Sequence, residues 1–425
     1  MGGLKFFLIL LMVIVANYCL TILLYRNNTY RSVFFVLVLV IDIGNLFYFK
    51  YFNFFVDNIK KIGVLFGSDL LTNVATVVLP IGISFYTFQI ISYAADVYMG
   101  KVEAQTNLAK LALYVMMFPQ LIAGPIVRYI DVNKEIDERK ILSTDVEEGI
   151  RRFIVGFSKK VFIANSMGNM ADTIFAMQWE INTLYAWLGA VSYSLQIYFD
   201  FSAYSDMAIG IGRMLGFHFN ENFDLPYKSQ SIQEFWRRWH ISLSSWFRDY
   251  VYIPLGGNKK GIARTYINLC VVFLLTGFWH GAAWQFVVWG MYHGAFSIIE
   301  RAGFKHVLEK LPRVFRHVYT MSVVIIGWVF FRADNLSLAL LYLKNMFSLN
   351  FSDFANYQVV QQFTSIFGVC FIIAILFSVS EFRIFKKFIF WNTITFIRVR
   401  YIFLWIISVL YLVGISYNPF IYFKF

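Results

Sequence analysis

Met1–Arg26 reads MGGLKFFLILLMVIVANYCLTILLYR. One lysine precedes a run of about 20 apolar residues, the length a helix needs to cross the hydrocarbon core of a bilayer. No small-residue cleavage site follows it cleanly, so it reads as a retained first span. The opening MGGLKF lacks the Ser or Thr that myristoylation wants.

Further apolar runs follow at Val33–Phe49, Leu70–Tyr98, Leu108–Val127, Val161–Phe175, Leu184–Phe217, Tyr266–Ile299, Tyr319–Phe331, Phe363–Phe382 and Tyr401–Phe423. Leu184–Phe217 and Tyr266–Ile299 are long enough for two short or broken helices each. The 425 residues are 59% hydrophobic and 15% charged, against about 25% charged in a soluble chain. The fold class is therefore an all-α polytopic membrane protein of roughly 10–12 membrane segments, some re-entrant. No repeat, Pro-rich linker or low-complexity tract divides it, so residues 1–425 read as a single integral-membrane domain. Cys19, Cys270 and Cys370 lie far apart, with no CxxC or zinc spacing, and read as small buried hydrophobes.

The net charge of +12 comes from Lys/Arg concentrated in four stretches, Lys134–Lys160, Lys228–Arg264, Arg301–Arg316 and Arg383–Arg400. Ala176–Asn182 and Asn350–Gln362 have no Lys or Arg. The positive-inside rule makes the four basic loops cytoplasmic and accounts for the charge without nucleic acid. Thr144–Phe162, TDVEEGIRRFIVGFSKKVF, starts near capping-box spacing at Thr144 and continues as an amphipathic helix. It either lies on the cytoplasmic membrane surface or is a solvated face leading into a span.

Polar side chains inside apolar runs are costly and mark function. They gather in Leu79–Tyr98, with Ser84, Thr87, Gln89, Ser92 and Asp96, and in Tyr193–Phe217. In the latter, Asp206 and Arg213 are two helical turns apart and can form a structural ion pair. Ser231–Gly261, SIQEFWRRWHISLSSWFRDYVYIPLGGNKKG, is too rich in Arg, His and Ser for an ordinary span and reads as interfacial or re-entrant.

Of six histidines, His306 and His317 fall in a basic loop and read as surface, and His218 as interfacial. His240, His280 and His293 remain. His280 lies in TGFWHGAAWQFVVWG, Thr276–Gly290, with Gly277 and Gly281 beside it and Trp279 and Trp284 placed to wall a site. A haem or metal pair is one reading, but His280 and His293 are 13 residues apart, about 140° around one straight helix, and no metal-binding motif accompanies them. Transport through broken helices is a second reading. Acid–base catalysis is a third: a neutral imidazole in a low-dielectric site is a sound general base.

FPQLIAGPIVRY (Phe118–Tyr129), YFDFSAYSDMAIGIGRMLGF (Tyr198–Phe217), FWRRWHISLSSWFRDYVYIPLGGN (Phe235–Asn258), TGFWHGAAW (Thr276–Trp284), GWVFFRA (Gly327–Ala333) and YNPFIYFKF (Tyr417–Phe425) together resemble the membrane-bound O-acyltransferase family (MBOAT). The resemblance is to its bacterial branch of alginate and peptidoglycan O-acetyltransferase membrane subunits. It implies a ring of tilted helices around a tunnel, His280 and His240 as the two active-site histidines, and cytosolic acetyl-CoA as donor with no tightly bound cofactor. It also implies an extracytoplasmic polysaccharide as final acceptor, a separate SGNH-hydrolase-type partner, and residence in the bacterial cytoplasmic membrane. His280 is then expected to act as general base and His240 to orient the donor or polarise its carbonyl. Arg237, Arg238 and Lys259 are candidates for the phosphates of coenzyme A, or else positive-inside anchors; Gln196, Asp200 and Ser202 are candidate tunnel residues. D-alanyl transfer to teichoic acid and transport of a polar solute are the alternatives.

Overall fold

The computed structural model describes residues 3–67, 74–122, 124–177, 181–352, 356–380, 393–414 and 420. Among them every regular element is a helix. Five are long and apolar enough to cross a membrane: Leu4–Arg26 (α1), Arg31–Leu65 (α2), Ile262–His280, Arg313–Arg332 and Thr395–Val413. Against the expected 10–12 segments, the described residues add two shorter apolar helices, Leu336–Met346 and Ser365–Val379.

α1 and α2 form a hairpin that turns at Asn27–Tyr30. A polar rung crosses it, with Asn17 Nδ2 donating to Asp42 Oδ1 at 2.9 Å. One turn of α2, Phe47–Tyr51, is π-helical, a widening often found at functional sites. The helix Ile83–Tyr98 (α3) packs on both and buries Thr87, Gln89, Ser92 and Asp96, four of the polar residues picked out in that run.

Ser143–Ser158 (α4) is the amphipathic segment. It packs along the central helix Thr183–Met214 (α5) rather than lying on a surface. The reason is a run of small residues. A Cβ on Gly149 would stand 2.5 Å from the Gly210 carbonyl oxygen, one on Gly210 2.6 Å from that of Gly149, and one on Gly156 2.6 Å from that of Ala203. Such small-residue contacts let two backbones touch. Thr144 does not cap α4, which begins at Ser143 with no side-chain cap.

α5 corrects the expectation of two broken helices over Leu184–Phe217: it is one helix of 32 residues. It has no proline, its start is capped by Asn182, whose side chain accepts from Tyr185 N, and its charges find partners on other helices. Asp200 pairs with Lys160, Asp206 with Arg152 and Lys159, and Arg213 with Asp145. Asp206 and Arg213 thus look to α4 and its extension, not to each other.

Ile232–Arg238 (α6) and Ile241–Phe247 (α7) are two short helices broken at His240. Tyr266–Ile299 does divide as expected, into Ile262–His280 (α8) and Trp284–Ile299 (α9) joined across Gly281–Ala283. Arg313–Arg332 (α10), Leu336–Met346 (α11), Ser365–Val379 (α12) and Ile394–Val413 (α13) follow. Cys370 is buried as expected, but Cys19 faces outward from α1. The basic stretch Arg383–Arg400 begins outside the described residues, and the closing motif Tyr417–Phe425 lies outside them apart from Phe420.

Candidate active site

His240 is held by its backbone and by one asparagine. It adopts the left-handed region, φ 45° and ψ 56°, a conformation that strains a non-glycine residue by about 1–3 kcal/mol. This bend separates α6 from α7 and turns the imidazole into the protein, where it is buried. Asn222 receives it. Asn222 Oδ1 lies 3.1 Å from His240 Nδ1 and accepts from Ser242 N at 3.2 Å and Ser242 Oγ at 2.9 Å. Because a backbone N–H must donate, the Ser242 contact fixes which amide atom is oxygen. Asn222 Nδ2 in turn donates to Ser205 Oγ at 3.1 Å. His240 Nδ1 therefore carries the proton, and Nε2, buried with no hydrogen-bond partner among the described residues, carries the lone pair.

A buried carboxylate sets the start of α6. Glu300 Oε1 accepts from Ile232 N at 2.6 Å and Oε2 from Gln233 N at 3.0 Å, satisfying two N–H groups that a helix start leaves open. Burial raises the Glu300 pKa, while the two N–H donors oppose that rise. The contact ties α6, and the strained turn after it, to the end of α9.

His280 is the last residue of α8. Its ring meets Trp279 at 4.9 Å, Trp289 at 5.0 Å and Phe331 at 5.1 Å between centroids, all edge to face. Trp279 is also 5.9 Å from the His240 ring, so one indole touches both imidazoles. The glycines let backbones meet. A Cβ on Gly277 would lie 2.4 Å from the Phe286 carbonyl oxygen, and one on Gly290 2.3 Å from that of Phe273, so α8 and α9 touch along their length. Gly281 ends α8 against the Phe286 ring.

The carbonyls at that helix end are captured from α2. Lys50 Nζ donates to the Trp279 carbonyl and to Ser84 Oγ, and Tyr51 OH donates to the Phe278 carbonyl at 2.9 Å. A cation at a helix C-terminus is favourable for both hydrogen bonding and the helix dipole. Both residues sit in the π-helical turn. His293 is enclosed by Trp236 at 5.1 Å and Trp289 at 5.3 Å, and its Nε2 occupies the space a Cβ on Gly327 would need, 2.5 Å away. That contact accounts for the glycine of GWVFFRA.

A cavity of about 480 Å³ opens beside α6, lined by Arg237, Arg238, Lys305 and Arg316 together with carboxylates. Arg238 is committed to Asp224 and Glu234, whereas Arg237 is exposed. The structure thus brings two of the three candidate phosphate ligands together. Lys259 is not with them: it is exposed in the turn Gly256–Gly261. Gln196, Asp200 and Ser202 are all buried on α5, Asp200 in its ion pair with Lys160. His306 is exposed and His317 half-buried near the Ser229 carbonyl, while His218 pairs with Glu135 at 2.7 Å.

Four residues of this arrangement were not singled out from sequence. Asn222, in FNENFDLP, carries no signal. Glu300 sits at the end of an apolar run and looks like a boundary charge. Lys50 and Tyr51, in FYFKYFNFF, did carry one: a lone cation among aromatic residues at membrane depth.

The membrane-bound O-acyltransferase family model matches residues 102–343. The chain is 50% identical over 309 residues to a probable alginate O-acetylase of Azotobacter vinelandii, covering 73% of this chain and 62% of that protein. It is 36% identical over 370 residues to the peptidoglycan O-acetyltransferase of Helicobacter pylori, covering 79% and 69%. It is 33% identical over 229 residues to the teichoic acid D-alanyltransferase of Bacillus subtilis, covering 50% and 56%. The chain spans about three fifths of the length of the alginate-type relatives it matches. With the family model covering more than half of the chain, and both histidines inside the matched region, the chain belongs to the membrane-bound O-acyltransferase family.

Proposed function

We propose that this chain is an O-acetyltransferase of the bacterial cytoplasmic membrane that takes acetyl from cytosolic acetyl-CoA and delivers it toward an extracytoplasmic polysaccharide. The observation that carries this reading is the pair of buried imidazoles meeting one indole, with His240 held in a single tautomer by Asn222. His280 takes the proton of the acceptor hydroxyl. The hydroxyl oxygen attacks the thioester carbonyl, the new C–O bond forms, the C–S bond breaks, and the thiolate of coenzyme A leaves and is reprotonated. His240 orients the thioester from the donor side. Arg237 and Arg316, both lining the 480 Å³ cavity, are placed to attract phosphates. The relatives named for alginate and peptidoglycan acetylation support a polysaccharide as the final acceptor; the acetyl group reaches it either directly or through an SGNH-type partner.

The test is acetyl transfer from labelled acetyl-CoA in membranes carrying His280→Ala, with the partner supplied. Loss of about 10³-fold or more is expected. Full retained activity would sink the mechanism. A D-alanyl carrier thioester offered in place of acetyl-CoA separates this reading from that suggested by the teichoic acid relative.

A further inference from the structure

A second cavity, of about 910 Å³, lies between α12 and α13 on one side and α4 and α5 on the other. The packing of these helices fixes its direction. α13 runs parallel to α4: Arg398 meets Glu147, Trp405 meets Phe157 at 5.0 Å, Ser408 meets Ser158 at 2.9 Å and Tyr411 meets Phe162 at 5.1 Å. α12 runs the opposite way. The short helix before it, Tyr357–Gln362, packs on Asn165–Ala176, and Cys370 meets Ser166, one turn beyond Phe162. α12 lines the cavity from Ser365 to Ser380, so the cavity is a slot about 22 Å long.

The end at Ser380 carries the charge. Lys159 and Arg400 line it, and no carboxylate lines the slot among the described residues. Lys159 turns back along α4, its Nζ 2.6 Å from Asp206, which Arg152 also holds. Its ammonium thus lies near the level of Arg151, whose guanidinium is 6.0 Å from the Tyr401 ring, and so near Arg400. Arg400 is exposed, with its guanidinium on the Tyr401 ring at 4.9 Å and no carboxylate partner among the described residues. Both cations belong to basic stretches expected on the cytoplasmic side. Beyond them the walls are apolar, with Phe162, Phe199, Val369, Ile373 and Phe403. Val369 and Phe403 are exposed, so the slot opens sideways toward the bilayer. The wall at Lys159–Ala164 is π-helical, a widening often found at functional sites. A sugar or a nucleotide would leave polar groups unpaired along such walls. A lipid tail would not, and basic pockets between helices on the cytoplasmic side suit anionic headgroups.

We infer that this slot binds an anionic phospholipid of the cytoplasmic leaflet, with an acyl chain along α12 and its phosphate between Lys159 and Arg400. Its inner wall includes Tyr198, whose ring is 6.2 Å from that of Trp239, the neighbour of His240, so the lipid backs the aromatic wall of the candidate active site. Purified full chain, delipidated in detergent, is titrated with dioleoyl phosphatidylglycerol or dioleoyl phosphatidylcholine, and native mass spectrometry reads the first bound lipid. No acyl donor is present, so the outcome is independent of the acyl-transfer reading. Phosphatidylglycerol is expected to bind about tenfold more tightly than phosphatidylcholine. Arg400→Gln is expected to weaken phosphatidylglycerol about fivefold and to leave phosphatidylcholine unchanged. Arg398→Gln, a nearby cation outside the lining, is the control expected to change neither. Val369→Trp fills the slot and is expected to weaken both lipids. Thermal unfolding checks each fold, and if Val369→Trp does not fold, Arg400→Gln against Arg398→Gln decides alone. Equal affinity for the two lipids, equal losses in Arg398→Gln and Arg400→Gln, or undiminished binding to a folded Val369→Trp overturns the inference. So does failure to retain any phospholipid, which would mean that protein covers the slot.

Discussion

Asn222 Oδ1 lies 3.1 Å from His240 Nδ1 while accepting from the Ser242 backbone at 3.2 Å. One amide oxygen thus fixes both the tautomer and the tilt of a buried imidazole. Asn222→Ala removes the acceptor and frees the ring. Acetyl transfer is expected to fall about 10–100-fold, by analogy with losing a group that orients a metal-bound histidine. Asn222→Asp keeps an acceptor at the same place and is expected to lose less. Comparing both variants in membranes, with expression level matched, checks the assignment. Equal losses would point to packing instead.

Lys50 and Tyr51 grip two successive carbonyls at the end of α8 from a neighbouring helix. Lys50→Met and Tyr51→Phe each leave a carbonyl without its side-chain donor and loosen the residue that follows, His280. Each is expected to lower kcat more than it raises KM for acetyl-CoA, because the Arg237 cavity beside α6, where we propose the donor binds, is untouched. As the two act on one helix end, the double variant is expected to depart from additivity, with a coupling of about 0.5–3 kcal/mol. Lys50→Arg is not expected to rescue, since a planar fork cannot replace a compact ammonium reaching Ser84 and the Trp279 carbonyl together. A double-mutant cycle on initial rates measures this directly.

The contact between α8 and α9 leaves no space for a methyl group. Gly277→Ala places a Cβ 2.4 Å from the Phe286 carbonyl oxygen, a backbone atom that moves only if α9 moves. The expected cost is about 1–3 kcal/mol, read as a lower unfolding temperature in detergent micelles. Gly290→Ala is expected to behave the same way, with its Cβ 2.3 Å from the Phe273 carbonyl oxygen. Gly44→Ala, inside α2 with nothing within 4 Å of its added Cβ, is the control, expected to hold or slightly raise stability because alanine suits a helix interior better than glycine.

These three cases show where sequence reasoning reached and where it stopped. The membrane class, the split of Tyr266–Ile299 at Gly281 and the placement of His280 and His240 rest on local signals: apolar length, glycine beside histidine, and motif. Partners from distant segments were out of reach. Asn222 meets His240 only because the left-handed turn brings Ile241 N to the Asn222 carbonyl, and nothing in the spacing of 18 residues announces it. The run that forms α5 is long enough for two short or broken helices, and its sequence names no partners outside the run for its charges. Their partners, Lys160, Lys159, Arg152 and Asp145, lie 40 to 68 positions earlier in the chain. Lys259 lies apart from Arg237 and Arg238 for the opposite reason, since a glycine-rich turn carries a basic residue close in sequence away from the cavity.

One of those distant pairs gives a pH dependence with a definite sign. Arg213 Nε donates to Asp145 Oδ1 at 3.0 Å, joining the end of α5 to the start of α4, with His218 Nε2 3.5 Å away. The hydrogen bond from Arg213, aided by His218, lowers the Asp145 pKa below its ordinary value of 3.8. The folded protein therefore holds Asp145 charged at pH values where the unfolded chain has begun to protonate it. The pair's contribution is complete well above pH 4, begins to fall as pH approaches the unfolded-state value of about 4, and is lost as pH drops through the lower folded-state value. In Asp145→Asn that contribution is absent at every pH. The unfolding temperatures of wild type and Asp145→Asn are thus expected to differ at pH 6 and converge on acidification toward about pH 3, in detergent at constant salt. A gap that stays constant or widens as pH falls would show that Asp145 supports the α4–α5 contact by shape, not by charge.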